Sequence, residues 1–156
     1  MKKIFYLTVL VTLFVTTLSA QQFDLSAELR PRLESRHGYK TLFDKNTDGA
    51  NFISQRSRLN FNFKQDKINL FISLQNIRVW GDVSTLSSND NANSFHQAWA
   101  EAVLSDKVTL KLGRQEIVYD DHRIFGNVGW AQQARSHDAF LFKYTPNKNN
   151  RLDLGF

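Results

Sequence analysis

Basic side chains alternate with apolar ones in three parts of the chain, and they are the strongest candidates for a functional site. Arg30 and Arg32 stand two residues apart, as do Arg56 and Arg58, and Lys111 lies between two leucines. Residues two positions apart in a β-strand point to the same face, so these five cations would share the polar face of a sheet. An arginine keeps its charge and offers planar donors that match a carboxylate. Rows of Arg or Lys along a pore select anions.

Arg114 is a further candidate, although it has the opposite parity to Lys111. We expect a β-bulge near Gly113 to turn Arg114 to the polar face. A structural alternative stays open for the whole set, because the cations would also pair with acids on that face: Glu28, Glu34, Glu101 and Glu116. The acids that follow Arg114, which are Glu116, Asp120 and Asp121, argue against strict anion selectivity.

Other chemistry has weaker support in the sequence. The four histidines are scattered, and none has the spacing of a metal-ligand pair. Asp121, His122 and Ser136 would form a catalytic triad only if the fold assembled them, and no serine lies in a nucleophile-elbow motif. The absence of cysteine excludes disulfides and thiolate metal sites. We therefore expect a protein that is not an enzyme and that holds no metal or cofactor.

The elements that must position these side chains are predicted to be β-strands. Seven segments alternate between apolar and polar residues with a period of two. They cover residues 23–33, 53–64, 68–75, 95–104, 108–112, 140–144 and 152–156. Short polar turns near Asp66, Asp106 and Asn147 alternate with long polar stretches at 35–51, 81–94 and 119–135. Short turns at one end and long external loops at the other are typical of outer-membrane barrels.

A soluble sandwich or a lipocalin-like barrel would also show this alternation. Three features favour an antiparallel transmembrane up-and-down β-barrel instead. The strands are about ten residues long, which suits a tilted crossing of a bilayer. The polar face carries rows of Arg and Glu that a wet lumen tolerates better than a dry core, and the 13 Phe suit a lipid-facing surface. The third feature is a predicted export signal.

The first twenty residues have the features of a cleaved signal peptide. Lys2 and Lys3 precede an apolar run from Ile4 to Leu18, and Ala20 marks the expected cleavage site. Without the two lysines the chain has 18 basic and 15 acidic residues, a net charge of +3. That charge is too small and too dispersed to indicate nucleic acid as a partner. We expect an exported protein of the outer membrane, in contact with its lipid.

The predicted barrel domain, residues 21–156, has seven strands, which is an odd number. Bacterial single-chain barrels have an even number of strands, and at least about eight. An open edge in lipid would leave unpaired backbone amides. We therefore expect these residues to be the N-terminal part of a larger barrel, and the terminal Phe156 not to mark a closing strand.

Several short motifs in the loops resemble those of the alginate-export family of outer-membrane porins. They are Arg78-Val79-Trp80-Gly81-Asp82, Gly113-Arg114-Gln115, Asp121-His122-Arg123, Trp130 and Arg135-Ser136-His137-Asp138. The resemblance covers most of residues 23–156. It implies a large single-chain barrel of about eighteen strands. It also implies a pore that passes an acidic polysaccharide such as alginate and is lined by arginines, which would add Arg78, Arg123 and Arg135 to the candidate site.

The sequence thus predicts a channel for anionic or polar solutes, with an acidic polysaccharide or small polar solutes as its partners. The alternative is a binding or adhesion barrel that acts through its long external loops. An outer-membrane enzyme is the third hypothesis. Conductance across a planar bilayer distinguishes the channel from the other two.

Residues Asp44–Gly49 match the first half of a calcium-binding loop, but Gln55 stands where such a loop needs a bidentate glutamate. We therefore expect calcium to bind no more tightly than about millimolar, the weak end of the range for such loops. Calorimetry on the refolded barrel tests this, and micromolar binding would contradict it.

Overall fold

A computed structural model describes residues 21–38, 42–90 and 92–156, so the predicted signal peptide lies outside the described residues. The described residues form one antiparallel sheet in which each strand pairs with the next along the chain. The strands are β1 (Gln22–Arg36), β2 (Ala50–Gln65), β3 (Ile68–Val79), β4 (Asn93–Ser105), β5 (Val108–Gln115), β6 (His137–Asn147) and β7 (Asn150–Gly155). The all-β fold with seven antiparallel strands is confirmed.

The apolar side chains share one face of this sheet. Phe61 pairs with Leu25 on one side and with Ile72 on the other. The same face continues across the sheet through the chain of paired residues Leu70, Ala100, Leu112 and Phe140.

That apolar face is exposed, with Leu29 at 70% and Leu33 at 76% of their full accessibility. Among the described residues, Leu141 is the one buried hydrophobic side chain. The apolar face is therefore exposed, as a lipid-facing surface would be, and does not pack into a core.

The opposite face carries the cations that the sequence placed together. Arg30 pairs with Arg56, and Arg58 lies between Glu28 of β1 and Gln75 of β3. Lys111 reaches the same face through its pairing with Glu101. The predicted parity is thus confirmed for Arg30, Arg32, Arg56, Arg58 and Lys111.

The bulge predicted at Gly113 is absent. The register of β4 and β5 runs without a shift from Trp99–Gly113 to Ala98–Arg114, and Ala98 pairs with Ile72 of the apolar face. Arg114 therefore stays on the apolar face. Gly113 serves another purpose: its φ is 113°, and a Cβ there would lie 2.3 Å from the carbonyl oxygen of Ala98. Only glycine allows this close approach of two strands.

Arg78 also differs from the expectation, because it lies on the apolar side. It pairs with Gln55, which in turn pairs with Pro31. The real irregularity near the candidate site is in β4, where Ser73 pairs with Gln97 but Leu74 pairs with Phe95. The extra residue is His96, which is only 2% exposed.

The connections alternate between two-residue turns and long segments, as predicted. The turns occupy residues 66–67, 106–107 and 148–149, and the long segments occupy 37–49, 80–92 and 116–136. The last long segment departs from the expectation that the long segments are external loops, because part of it folds back over the polar face. No helix among the described residues is long and apolar enough to cross a membrane.

The exposed apolar face generates a prediction about charge. Arginine in place of Ile72, in the middle of β3, would put a guanidinium among lipid tails. We expect the free energy of unfolding to fall by about 2–4 kcal/mol, as for charges placed at the midplane of membrane barrels. Urea titration of the refolded full-length protein in lipid vesicles measures this.

Asn62→Arg is the matched control. Asn62 follows the β2 residue that pairs with Ile72, but its side chain belongs to the polar face. We expect the control to change the free energy of unfolding little, since the new charge meets water. Equal losses in the two variants would show that both faces are dry, and the membrane assignment of the apolar face would be wrong.

Candidate functional site

The polar face of β1 binds the backbone of residues 127–135, which we call the infolded segment. Arg30 donates from Nη1 to the carbonyl oxygen of Gly129 and from Nη2 to that of Ala131, both at 2.8 Å. Arg32 donates from Nη1 to the carbonyl oxygen of Trp130, also at 2.8 Å. Each guanidinium group thus donates to neutral main-chain carbonyl groups of a segment about one hundred residues further along the chain.

The neighbouring strands β2 and β3 extend this contact. Nη1 of Arg56 lies 3.4–3.5 Å from the carbonyl oxygens of Gly129, Ala131 and Gln132. Arg58 and Gln75 both donate to the carbonyl oxygen of Gln133, at 3.3 and 3.4 Å. Five consecutive carbonyl groups, from residue 129 to residue 133, are therefore bound by side chains of the sheet. We call Arg30, Arg32, Arg56 and Arg58 the arginine cluster.

Two glutamates lie within the same patch. Glu28 forms ion pairs with Arg56 at 2.7 Å and with Arg58 at 3.9 Å. Glu34 pairs with Arg32 at 2.7 Å and also with Arg36. Arg30 forms no ion pair with a described residue, and its two hydrogen bonds go to carbonyl groups.

Positive charge dominates this patch. Residues 28–36 of β1 and 54–58 of β2 place five arginines and two glutamates on the polar face, an excess of three positive charges. The structural alternative, in which acids neutralise every cation, accounts for only part of the patch.

A half-buried carboxylate, that of Glu116, anchors the start of the infolded segment. Oε1 of Glu116 lies 2.7 Å from Nε2 of His96, and Oε2 accepts a hydrogen bond from the Asn127 side chain at 3.1 Å. Asn127 then binds the backbone of Gly129 and of Arg135. Burial raises the pKa of Glu116, but the hydrogen bonds from His96 and Asn127 lower it more, so the pKa lies below its ordinary value. The carboxylate form is thus favoured at this anchor.

The first part of the same long connection is tied to β7. The hydroxyl of Tyr119 donates to Oδ2 of Asp153 at 2.6 Å, and its ring meets the Phe125 ring edge-on at 5.7 Å. Burial, together with the hydrogen bond to the Asp153 carboxylate, raises the pKa of Tyr119 to about 12. Tyr119 therefore remains a neutral hydrogen-bond donor at physiological pH.

A second group on the polar face combines rings with charge. The rings of Phe71 and Trp99 stack with centroids 5.5 Å apart, and Nζ of Lys111 lies 3.7 Å from the centroid of the Trp99 ring. Lys143 pairs with Glu101 at 3.0 Å beside them. Lys111 forms no ion pair with a described residue, and its ammonium is held by the π face of Trp99. The signal for this group in the sequence was the parity of Phe71 and Trp99, which are aromatic on a face that is otherwise polar.

The remaining candidates lie apart from the arginine cluster. Arg78 pairs with Asp90 at 2.9 Å and Arg114 with Asp138 at 3.0 Å, and both belong to the apolar side by register. Arg123 is exposed and pairs with Asp121 at 2.7 Å. Arg135 is exposed at the end of the infolded segment. The pore-lining placement predicted for Arg78 and Arg114 is corrected. The strand pairing passes through each of these residues without a register shift, so each one stays on the apolar side.

Sequence reasoning missed the partner of the arginine cluster. The infolded segment contributes backbone oxygen atoms, which every residue has, so its composition gives no signal for this role. Gln75 and Gln132 were also missed: Gln132 donates from its side chain to the carbonyl oxygen of Arg78 at 2.9 Å. Polar residues of this kind are common in any loop or lumen.

A sheet with an exposed apolar face, a charged opposite face and a loop folded over the charged face has the features of the wall of an outer-membrane β-barrel. A comparison with family models matches residues 21–155 to the alginate export family. The chain belongs to that family, whose members are outer-membrane channels for polysaccharide export. No curated protein matches the chain.

The Glu116 anchor generates a prediction about pH. The lowered pKa means that its stabilising effect is complete above the ordinary pKa of a carboxyl group and is lost as the pH falls through the lowered value. The hydrogen bonds from His96 and Asn127 and the positive charge of Arg58 all favour the carboxylate form of Glu116. We expect the infolded segment to loosen on acidification, which the anisotropy of a dye attached at Ala131→Cys would report as a decrease.

The variant Glu116→Gln tests whether the Glu116 carboxylate causes this acid transition. This variant keeps the shape of the side chain but has no carboxylate to protonate, so its dye anisotropy should be low and should lose the acid transition. A dye at Thr85→Cys, in the exposed residues 84–90 of the second long connection, controls for global unfolding. An unchanged acid transition in Glu116→Gln would show that another group anchors the segment.

Proposed function

We propose that this chain forms part of the wall of a channel that passes an anionic polysaccharide across the outer membrane. The observation that carries the proposal is the excess of three positive charges on the polar face of β1 and β2, where one of the arginines, Arg30, forms no ion pair with a described residue. In a barrel of this family the polar face lines the lumen.

The chemistry of the patch suits a polymer that carries carboxylates. Guanidinium groups remain charged at every physiological pH and bind carboxylates through two parallel hydrogen bonds. Several such groups along one strand pair offer a polyanion successive contacts, none of which has to be strong. Fixed positive charge in a narrow lumen also repels cations and raises the local concentration of anions.

The second group on the polar face supports a sugar polymer over small inorganic anions. Phe71 and Trp99 provide apolar rings against which the apolar side of a pyranose can pack, and Lys111 provides a cation beside them. Cations and aromatic rings on one wall match the two properties of a uronate residue, its charge and its apolar ring face.

The test is the ion preference of the full-length protein in a planar bilayer. Replacing Arg30 and Arg58 by Ala removes two charges, each of which attracts a nearby anion by about 1 kcal/mol in a water-filled pore. We expect the permeability ratio of anion to cation to fall about fivefold or more, measured as a shift of the reversal potential under a salt gradient.

Arg114→Ala is the matched control, because the register places Arg114 on the apolar face. We expect this variant to keep the ion preference of the unmodified protein. Unchanged reversal potentials in the double variant would show that the cluster does not set selectivity. A full-length protein that binds oligouronates without conducting ions would contradict the channel and support the adhesion barrel.

A further inference from the structure

We infer that the arginine cluster is a shared site: the carbonyl groups of the infolded segment occupy it at rest, and the carboxylates of the transported polymer displace them. The infolded segment would then be a substrate-released plug on the channel wall. This inference rests on the proposed function, because it takes an anionic polymer as the ligand.

The infolded segment contacts the arginine cluster in the way that a bound polycarboxylate would. Residues 129–133 present five consecutive oxygen atoms to donors on three strands. A row of oxygen acceptors facing a row of guanidinium groups is also how a polycarboxylate would lie on this surface. The segment and the polymer would therefore need the same donors and could not use them together.

The charge of the infolded segment explains why an anionic polymer can displace it from the arginine cluster. Residues 127–135 contain no Asp or Glu and include one arginine, Arg135, so they neutralise none of the positive excess beneath them. Hydrogen bonds from a guanidinium to a carboxylate are about twice as strong as those to a neutral acceptor. A segment meant to hold the patch closed permanently would be expected to bring acids to it.

The backbone on both sides of the contact is strained. Val128 has a φ of 49° and Ala134 a φ of 61°, a region that side chains with a Cβ, and β-branched ones above all, rarely adopt. The two residues bracket the five bound carbonyl groups. Loss of the arginine contacts would let both residues return to ordinary conformations, so the strain favours release.

The segment also gains little from burial of its own side chains. The Trp130 side chain, the largest in the segment, is 75% exposed. The hydrogen bonds to the arginines and glutamines of the sheet therefore provide most of its attachment, together with the Asn127 anchor at one end. An attachment made mainly of exchangeable hydrogen bonds can be replaced by another set of acceptors.

The experiment measures the accessibility of the segment in the full-length protein. Residues 1–156 contain no native cysteine, and any cysteine elsewhere in the full-length protein is replaced by Ser, so that Ala131→Cys is a unique site for a thiol-reactive maleimide. We expect an oligogalacturonate to raise the labelling rate severalfold. A maltooligosaccharide of the same length, and sodium chloride at the same ionic strength, should leave the rate unchanged, because neither offers a row of carboxylates.

Two variants make the result specific. Thr85→Cys lies in another exposed connection, and its labelling should not respond to the oligogalacturonate. Arg30→Ala combined with Ala131→Cys removes the guanidinium that donates hydrogen bonds to Gly129 and Ala131 of the segment. This variant should label fast without any ligand, and the further increase on adding oligogalacturonate should be smaller.

The outcomes separate the inference from the proposed function. An unchanged or slower labelling rate with oligogalacturonate would overturn the plug, while the reversal potentials would still decide the anion channel. An equal increase with the neutral oligosaccharide would also overturn the inference, since carboxylates would not be the cause. An increase confined to the oligogalacturonate, and reduced by Arg30→Ala, is the result that supports it.

Discussion

The two-residue period of the β-strand is the constraint on which this structure depends. Each strand separates its side chains into two sets, and the ladder aligns these sets across seven strands. One set is apolar and exposed, and the other is charged. A shift of one residue in the pairing of β1 with β2 would put Arg30 among leucines and Leu29 among arginines, so the polar patch and the apolar face fix this register together.

The concentration of arginine on the polar face shapes the loop above it. A patch with more positive charges than acids has donors that need acceptors, and the nearest available acceptors are backbone carbonyl groups. Residues 129–133 supply them, so this part of the third long connection lies over the polar face of the sheet. The same excess of charge underlies the attachment of the segment and both proposals, the anion selectivity and the release of the segment by a polyanion.

Two special positions of the sheet lie near the place where this loop is attached. The extra residue in β4 buries His96 beside Glu116, and Glu116 holds Asn127 at the start of the infolded segment. Bulges often redirect a side chain next to a functional site. Gly113, across from Trp99, lets two strands approach closely, which keeps the register of β5 intact and leaves Arg114 on the apolar face.

The sequence by itself determined the strands, their number and the face of most residues, because alternation is a local property that pairing only repeats. It therefore placed Arg30 and Arg56 on one face correctly. It could not decide Arg114, because a glycine in a strand is compatible both with a bulge and with a close approach, and only the neighbouring strand distinguishes them. The contact of the arginine cluster with residues 129–133 was decided by the tertiary structure alone, since backbone carbonyl groups are the same in every sequence and their partners lie about one hundred residues away.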